Sequence, residues 1–435
     1  MANPRLIAIR WLTQVIKDGT SVNQLMAQSD DKLEPQDRGL AKQLLFGSLR
    51  FYHQLSTITN NLLNKPFKAK DTDILMVLVS GLYQLKYLAV PDHAAISESV
   101  ELTRLLDKSW ASGIVNGVLR SYQRESKNLE SQLAKSVQFQ FSHPGWMVKR
   151  IRQDWPESAD SILAENNRQA PMTIRLNSLK TDQSSYLTKL DLLTVNSVIH
   201  PLAKDGLVLE KPMDVSLLPG FSDGEVTVQD AAAQLAVEMM DLKKGQRVLD
   251  GCSAPGGKTT HLIQRQPDIQ LTAVELSASR ADKITQTLAR LGMQCNLKIA
   301  DILDTESWWD GQLFDRILID VPCSASGVIR RNPDIKVHRL ATDIAPLVAI
   351  QKQILEKCWQ LLKPGGRLIY ATCSIFKAEN EEQILHFMDN QPVKMVTMPE
   401  IIDQQLSSRA SVGYQILPGE IQMDGFYLCG LEKTQ

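Results

Sequence analysis

Along the first 140 residues, apolar positions recur at intervals of three and four, the spacing that lines one side of an α-helix. Ile7, Ile9, Trp11, Leu12, Val15 and Ile16 form one stripe, and Leu40, Leu44, Leu45, Leu49 and Phe51 a second. Ile74, Leu75, Val77, Leu78, Leu82 and Leu85 form a third, with Pro35, Pro66 and Pro91-Asp92 as breaks between segments. An all-helical region over 4–140 is predicted. The pattern stops at Ser142-His-Pro-Gly145. Beyond it, Trp146 to Ala164 predicts a helix, Met172–Leu176 a strand, 183–193 a helix and Gly206–Glu210 a strand, together a small α/β segment. A turn-rich stretch, Phe221–Val228, leads to a helix opening at Val228-Gln-Asp-Ala-Ala-Ala, with Asp230 suited to be its N-cap.

From about residue 236 the period alternates between strand and helix, which predicts a mainly parallel sheet. Strands are expected at 247–251, 271–275, 296–300, 315–321 and 366–372, with later ones near 393–398 and 425–431. Helices are expected at 257–266, 277–292, 342–363 and 377–389, and Lys363-Pro-Gly-Gly366 reads as a helix stop leading into a strand. Three domains follow: 1–141 all-helical, 142–235 small α/β, and 236–435 α/β with the parallel sheet. A chain of 435 residues is too long for one ordinary core, in agreement with that division.

Net charge near zero gives no whole-chain sign of a polyanionic partner. Its distribution is uneven: Lys and Arg against Asp and Glu give about +4 over 1–140 and about −4 over 141–240. Arg38, Lys42 and Arg50 fall near one face of a helix, followed by Lys65, Lys68 and Lys70. They are candidates for RNA binding; an ordinary solvated face is the alternative. Six cysteines lie between 252 and 429 with no pair at metal-site spacing, so neither a zinc site nor a disulfide framework is expected. The amino terminus has no signal-peptide core, and no apolar run reaches membrane-spanning length. A cytoplasmic, reducing location, no metal, no membrane association and a monomer are the expectations.

Two strand ends carry the chemistry. Phe314–Gly327, FDRILIDVPCSASG, reads as a buried strand whose apolar run ends at Asp320, after which Val321-Pro322 turns the chain out and presents Cys323. Gly366–Thr372 ends in the same way at Cys373-Ser374. Two cysteines at one rim of a sheet suggest thiol chemistry on a bound substrate. The first βα turn, Val248–Thr259, is a small-residue loop opening a helix, suited to close backbone approach by a ligand. It is not a P-loop, which needs Gly where Cys252 stands, nor does it have the spacing of a dinucleotide fingerprint. Glu275 ends the next strand, in position for ribose hydroxyls, and Asp301 ends the third, in position for a base amino group.

The stretches DGCSAPGGKT at 250–259, DVPCSASG at 320–327 and ATCS at 371–374, with Glu275 and Asp301, resemble the motifs of RNA (cytosine-5) methyltransferases. The likeness reaches nearly the whole chain, and is to the bacterial 16S ribosomal RNA members. It runs through VIRRNPDIK at 328–336 and a NusB-like helical region with QDRGLAKQLLFGSLR at 36–50. Gly251, Ser253, Val321 and the closing DGFYLCGLEK at 424–433 depart slightly from the usual forms. The resemblance implies a class I S-adenosylmethionine-dependent methyltransferase domain, Rossmann-like, preceded by an all-α NusB-like RNA-binding domain and the small α/β segment.

S-adenosylmethionine would be held by Cys252, Ser253, Ala254, Pro255, Gly256, Gly257, Lys258, Glu275, Asp301 and Asp320, and leave as S-adenosylhomocysteine. Cys373 would be the nucleophile, Cys323 would assist release, and Asp320 would contact cytosine N3. The chemistry fits such residues, because carbon 5 of cytosine attacks a methyl group only after a thiolate adds at carbon 6. Arg330, Arg331 and Lys336, with His338 and Arg339, follow the Cys323 loop and are expected to meet RNA phosphates. Lys258 has two roles open to it: orienting a ligand, or pairing with Asp320. The partner expected is 16S ribosomal RNA. A transfer RNA enzyme and a non-catalytic RNA-binding assembly factor are the competing functions. The NusB-like region favours the first reading, and the intact Cys373, Cys323 and Asp320 oppose the last.

Overall fold

The structure, a computed structural model, describes residues 3–28, 34–406 and 410–434. It divides into two compact units, Met1–Gln169 with Ile329–Ala341, and Ala170–Val328 with Thr342–Gln435.

The first unit is helical. Helices Pro4–Asp18, Pro35–Arg50, Tyr52–Leu62, Asp92–Leu105 and Ser112–Leu133 are arranged with Thr72–Tyr87, which is apolar on every side and buried along most of its length. The three stripes read from the sequence supply its core: Ile9, Leu12, Val15, Leu44, Leu45, Leu49, Ile74, Val77, Leu78 and Leu82 are all fully buried. The single helix expected over 146–164 is instead two, Gly145–Asp154 and Ala159–Asn166. Pro156 between them has no amide to donate and disfavours helical geometry at Trp155.

The segment Ile329–Ala341 belongs to this unit through buried polar contacts. Asp334 Oδ2 accepts from the Val22 amide at 3.1 Å, and the His338 ring donates to the Val15 carbonyl at 2.8 Å. The Lys336 ammonium donates to the Arg50 carbonyl at 2.5 Å and to Asn167 Oδ1 at 2.7 Å. This corrects the expectation that Arg330 and Lys336 face RNA phosphates. They are only 3% and 1% exposed, and burial pulls the Lys336 pKa well down. The Lys336 side chain is committed to Arg50 and Asn167 instead. Arg331, like Arg38 and Lys42 on helix Pro35–Arg50, is half-buried.

The second unit holds two sheets. β1 (Met172–Leu176), β2 (Ser197–Ile199), β3 (Gly206–Leu209) and β4 (Val226–Val228) form an antiparallel sheet in the order β2-β3-β1-β4. β2 and β4, three residues each, are too short to carry a period, and β4 lies in the stretch read as turn-rich. The second sheet contains β5 (Arg247–Gly251), β6 (Gln270–Glu275), β7 (Asn296–Ile299), β8 (Phe314–Asp320), β9 (Leu362–Thr372), β10 (Val393–Val396), β11 (Tyr414–Ile416) and β12 (Phe426–Lys433). Its order is β10-β12-β9-β8-β5-β6-β7, with β11 beside β12. Pairs among β5 to β9 are parallel, and those involving β12 antiparallel. β9 begins four residues earlier than expected, because Leu362 already pairs with Phe314 before a register shift. Order therefore reverses at β5, whose carboxyl end is the switch point where open α/β sheets bind ligands.

Arg175 joins the two sheets. It is fully buried in β1, and donates to the Gly257 carbonyl at 2.7 Å, Gln264 Oε1 at 3.0 Å, Thr260 Oγ1 at 3.0 Å and the Gln229 side chain. Burial lowers its pKa to about 9, a shift that the charge of Asp205 opposes. Arg175→Met would strand these acceptors without a donor, so stability should fall by about 3–5 kcal/mol. Urea unfolding of the full chain checks this; an unchanged midpoint would show that Arg175 is no clamp.

Candidate active site

The loop after β5 is pinned on all sides. The Ser253 amide and hydroxyl both donate to the Val274 carbonyl at 3.1 Å, and the Ala254 amide donates to Glu275 Oε2 at 3.1 Å. Gly256 takes φ +95°, and a Cβ there would lie 3.2 Å from the Ile284 backbone, so only glycine fits without strain. Helix Gly257–Arg265 opens directly after it. Cys252 through Pro255, Gly257 and Lys258 line a cleft of ≈ 160 Å³ with Asp250, Asp320, Val228, Gln229 and Ala233. Asp250 is fully buried: its Oδ2 accepts from Thr259 at 2.6 Å, while its Oδ1 has no partner among the described residues. Desolvation pushes that carboxyl up to about 7. An unmatched polar atom in the wall of a cleft suits a ligand that can bond to it.

Glu275 is buried at the end of β6, where it braces the loop and also accepts from the Ser277 amide at 3.0 Å. Asp301 is exposed in the turn after β7, with Oδ1 capping the Leu303 amide at 2.9 Å. Both stand at the carboxyl rim, as the sequence placed them. Lys258 pairs with Asp320 at 2.5 Å, and its ammonium lies 5.0 Å from the centre of the Phe426 ring. Burial acts to lower the Lys258 pKa, but the charge and hydrogen bond of Asp320 outweigh it, and the net shift is upward. The pairing role for Lys258 is thus present in the structure.

Parallel registry of β8 and β9 sets Asp320 opposite Ala371 and so brings the two cysteine loops side by side. The sulfurs of Cys323 and Cys373 are 3.4 Å apart. Cys323 is buried, whereas Cys373 is partly exposed. A shared hydrogen bond with Cys373 and loss of solvation push the Cys323 thiol well up. The loops are tied further: the Gly327 amide donates to the Cys373 carbonyl at 2.9 Å, and the Gly425 amide to the Gly327 carbonyl at 2.9 Å. A Cβ on Gly327 would meet the Gly425 carbonyl oxygen at 2.1 Å, so that approach requires glycine.

Sequence reasoning missed the residues underneath. Glu379, Gln351, Asn380 and Gln415 are buried polar side chains bonded to the loop backbones or their serines. Glu379 and Asn380 lie within the stretch read as helix 377–389, with nothing in their spacing to mark them. The buried Gln229 at the cleft was likewise read only as part of a helix start. Among the described residues, no group of three or more His, Cys, Asp or Glu is placed to hold a metal, and no helix is long and apolar enough to cross a membrane.

Family models match along the chain: the NusB family over residues 2–124, the ferredoxin-like domain of RsmF/B-like methyltransferases over 143–216, and 16S rRNA methyltransferase RsmB/F over 237–432. Ribosomal RNA small subunit methyltransferase B of Vibrio cholerae is 40% identical over 433 residues, covering 99% of this chain and 98% of that one. The protein of the same name from Pseudomonas syringae is 42% identical over 436 residues, covering 99% and 97%. The crystal structure of PH0851 has the same fold over 98% of this chain and 99% of its own, with a TM-score of 0.81 at 20% identity. A methyltransferase homolog from Pyrococcus horikoshii matches 68% of this chain and 97% of its own, with a TM-score of 0.58 at 27% identity. Likeness of this degree, end to end and in the same order of parts, means that the chain belongs to the 16S rRNA methyltransferase RsmB/F family.

Proposed function

We propose that this methyltransferase acts on carbon 5 of a cytosine in 16S ribosomal RNA, using S-adenosylmethionine, through a covalent bond from Cys373 to carbon 6 of the base. The observation that carries the reading is the thiol pair, 3.4 Å between sulfurs and beside the Lys258–Asp320 ion pair. Residues 252–258, with Glu275, Asp301 and Asp320, would hold the cofactor; the glycine-bearing loop and the open Asp250 oxygen suit a nucleoside ligand. When bound, it supplies an electrophilic methyl group on a sulfonium sulfur.

The protein's own residues then divide the work. The cytosine must leave its stack to reach the sulfurs. Asp320 favours protonation at N3, which makes carbon 6 a better acceptor. The Cys373 thiolate adds there, and carbon 5 gains the nucleophilicity to take the methyl group. That addition removes the free Cys373 sulfur, the first cause of the high Cys323 pKa. With its own proton passed to solvent, the Cys323 thiolate takes the hydrogen from carbon 5. The carbon 5–carbon 6 double bond re-forms as the Cys373 sulfur departs. Burial beside the partly exposed Cys373 supports the reading of Cys323 as the residue of exit rather than entry.

Two results follow. Glu275→Ala removes the acceptor that braces the Ala254 amide, so calorimetry should show cofactor affinity reduced about tenfold or more with the fold retained. Unchanged affinity would remove Glu275 from the site. Cys373→Ala should abolish methylation and give no covalent RNA adduct. Cys323→Ala should methylate once and stall as an adduct that survives a denaturing gel with labelled RNA. An adduct with Cys373→Ala and none with Cys323→Ala would reverse the two roles.

A further inference from the structure

Beneath the thiols lies a carboxylate that none of these steps uses. Glu379 is fully buried, in the short turn Lys377–Glu379 after the Cys373 loop. Its Oε1 accepts from the Ser324 amide at 2.7 Å, the residue after Cys323. Its Oε2 accepts from the Ser374 hydroxyl at 2.5 Å, the residue after Cys373. One carboxylate thus holds the neighbours of both cysteines. Gln351 doubles the tie on one side, donating to Glu379 Oε1 at 3.0 Å and to the carbonyl of Pro322, just before Cys323, at 2.9 Å. Glu379 is itself anchored, since the Tyr370 hydroxyl donates to its carbonyl at 2.7 Å.

Burying a carboxylate is costly, and an aliphatic residue of similar size would serve a purely structural core better. What an aliphatic residue cannot do is fix two loops by directed bonds from the two ends of one planar group. We infer that Glu379 is a positioning residue for methyl transfer and release: by bridging Ser324 and Ser374 it sets the distance between Cys323 and Cys373. The inference rests on the reading of those two thiols as the reacting groups. Its negative charge also contributes, after the Cys373 interactions and burial, to keeping the Cys323 proton in place.

The test measures sulfur spacing directly as well as turnover. Phenylarsine oxide bonds two adjacent thiols at once with loss of water, and protects Cys373 from alkylation when both sulfurs are in reach; mass spectrometry reads this without RNA. Glu379→Ala should weaken that protection at least tenfold. It should also lower kcat about 10²-fold with KM for RNA unchanged, as expected when reacting groups shift by about 1 Å. Glu379→Gln retains an acceptor for the Ser324 amide and a donor for Ser374, and should restore most of both. Ser374→Ala should weaken both, and its kcat loss should not multiply with that of Glu379→Ala, since both break one bridge. Normal arsenical protection in Glu379→Ala, failure of Glu379→Gln to rescue, or multiplying losses would each overturn the inference. If Glu379→Ala does not fold, Ser374→Ala decides alone, and normal protection and kcat there would overturn it. Should Cys373→Ala still methylate RNA, the thiol assignment fails while the arsenical result still judges the bridge.

Discussion

Two sulfurs held 3.4 Å apart at the ends of neighbouring parallel strands are the constraint around which the catalytic unit is arranged. Parallel registry of β8 with β9 brings Cys323 and Cys373 to one edge. Registry alone leaves two flexible loops, and loops of this kind drift by more than the chemistry tolerates. The remaining freedom is removed by glycine contact at 327 and 425 and by the buried serines 324, 326 and 374 bonded among themselves. A polar layer without solvent is stable only when nearly every member has a partner. Here that demand also fixes the thiols.

The same logic runs through the neighbouring cleft. Lys258 is kept charged by Asp320, and Asp250 is buried with one oxygen committed to Thr259 and one open. Charges removed from water interact strongly and give up little to screening, so small shifts in one protonation state alter the next. Cys323 is subject to the same rule: its hydrogen bond with Cys373 and its burial both raise its pKa. The glycine-bearing loop after β5, the Lys258–Asp320 ion pair and the thiols therefore behave as one electrostatic unit. Arg175 fastens that unit to the small antiparallel sheet through the Gly257 carbonyl.

Most strands and helices of the catalytic unit were legible in the sequence, because buried parallel strands and amphipathic helices leave runs and stripes that survive without tertiary context. β5 and β1 match their predicted limits. Short strands such as β2, β4 and β11 were not legible, since three residues cannot display a period. The loop at 252–258, with Lys258, and both cysteines stand at the strand ends where the sequence put them, because small residues and the ends of apolar runs announce such positions. Glu379 and Gln351 were hidden: a polar residue in a helical stretch looks the same whether it meets water or a buried amide. Lys336 and Arg330 misled for the converse reason. Position after the Cys323 loop suggested RNA, but Ile329–Ala341 is packed within the helical unit, where Lys336 serves the backbone of Arg50.

The most direct measurement uses 16S RNA in which cytidine is replaced by 5-fluorocytidine, incubated with the intact protein and cofactor. Fluorine at carbon 5 cannot leave as a proton, so a methylated adduct has no exit. Nuclease and protease digestion followed by mass spectrometry then identifies the attached residue. One fluorinated, methylated cytosine bonded through Cys373 is the expected product. A bond through Cys323, or methylation with no bond to the protein, would contradict it.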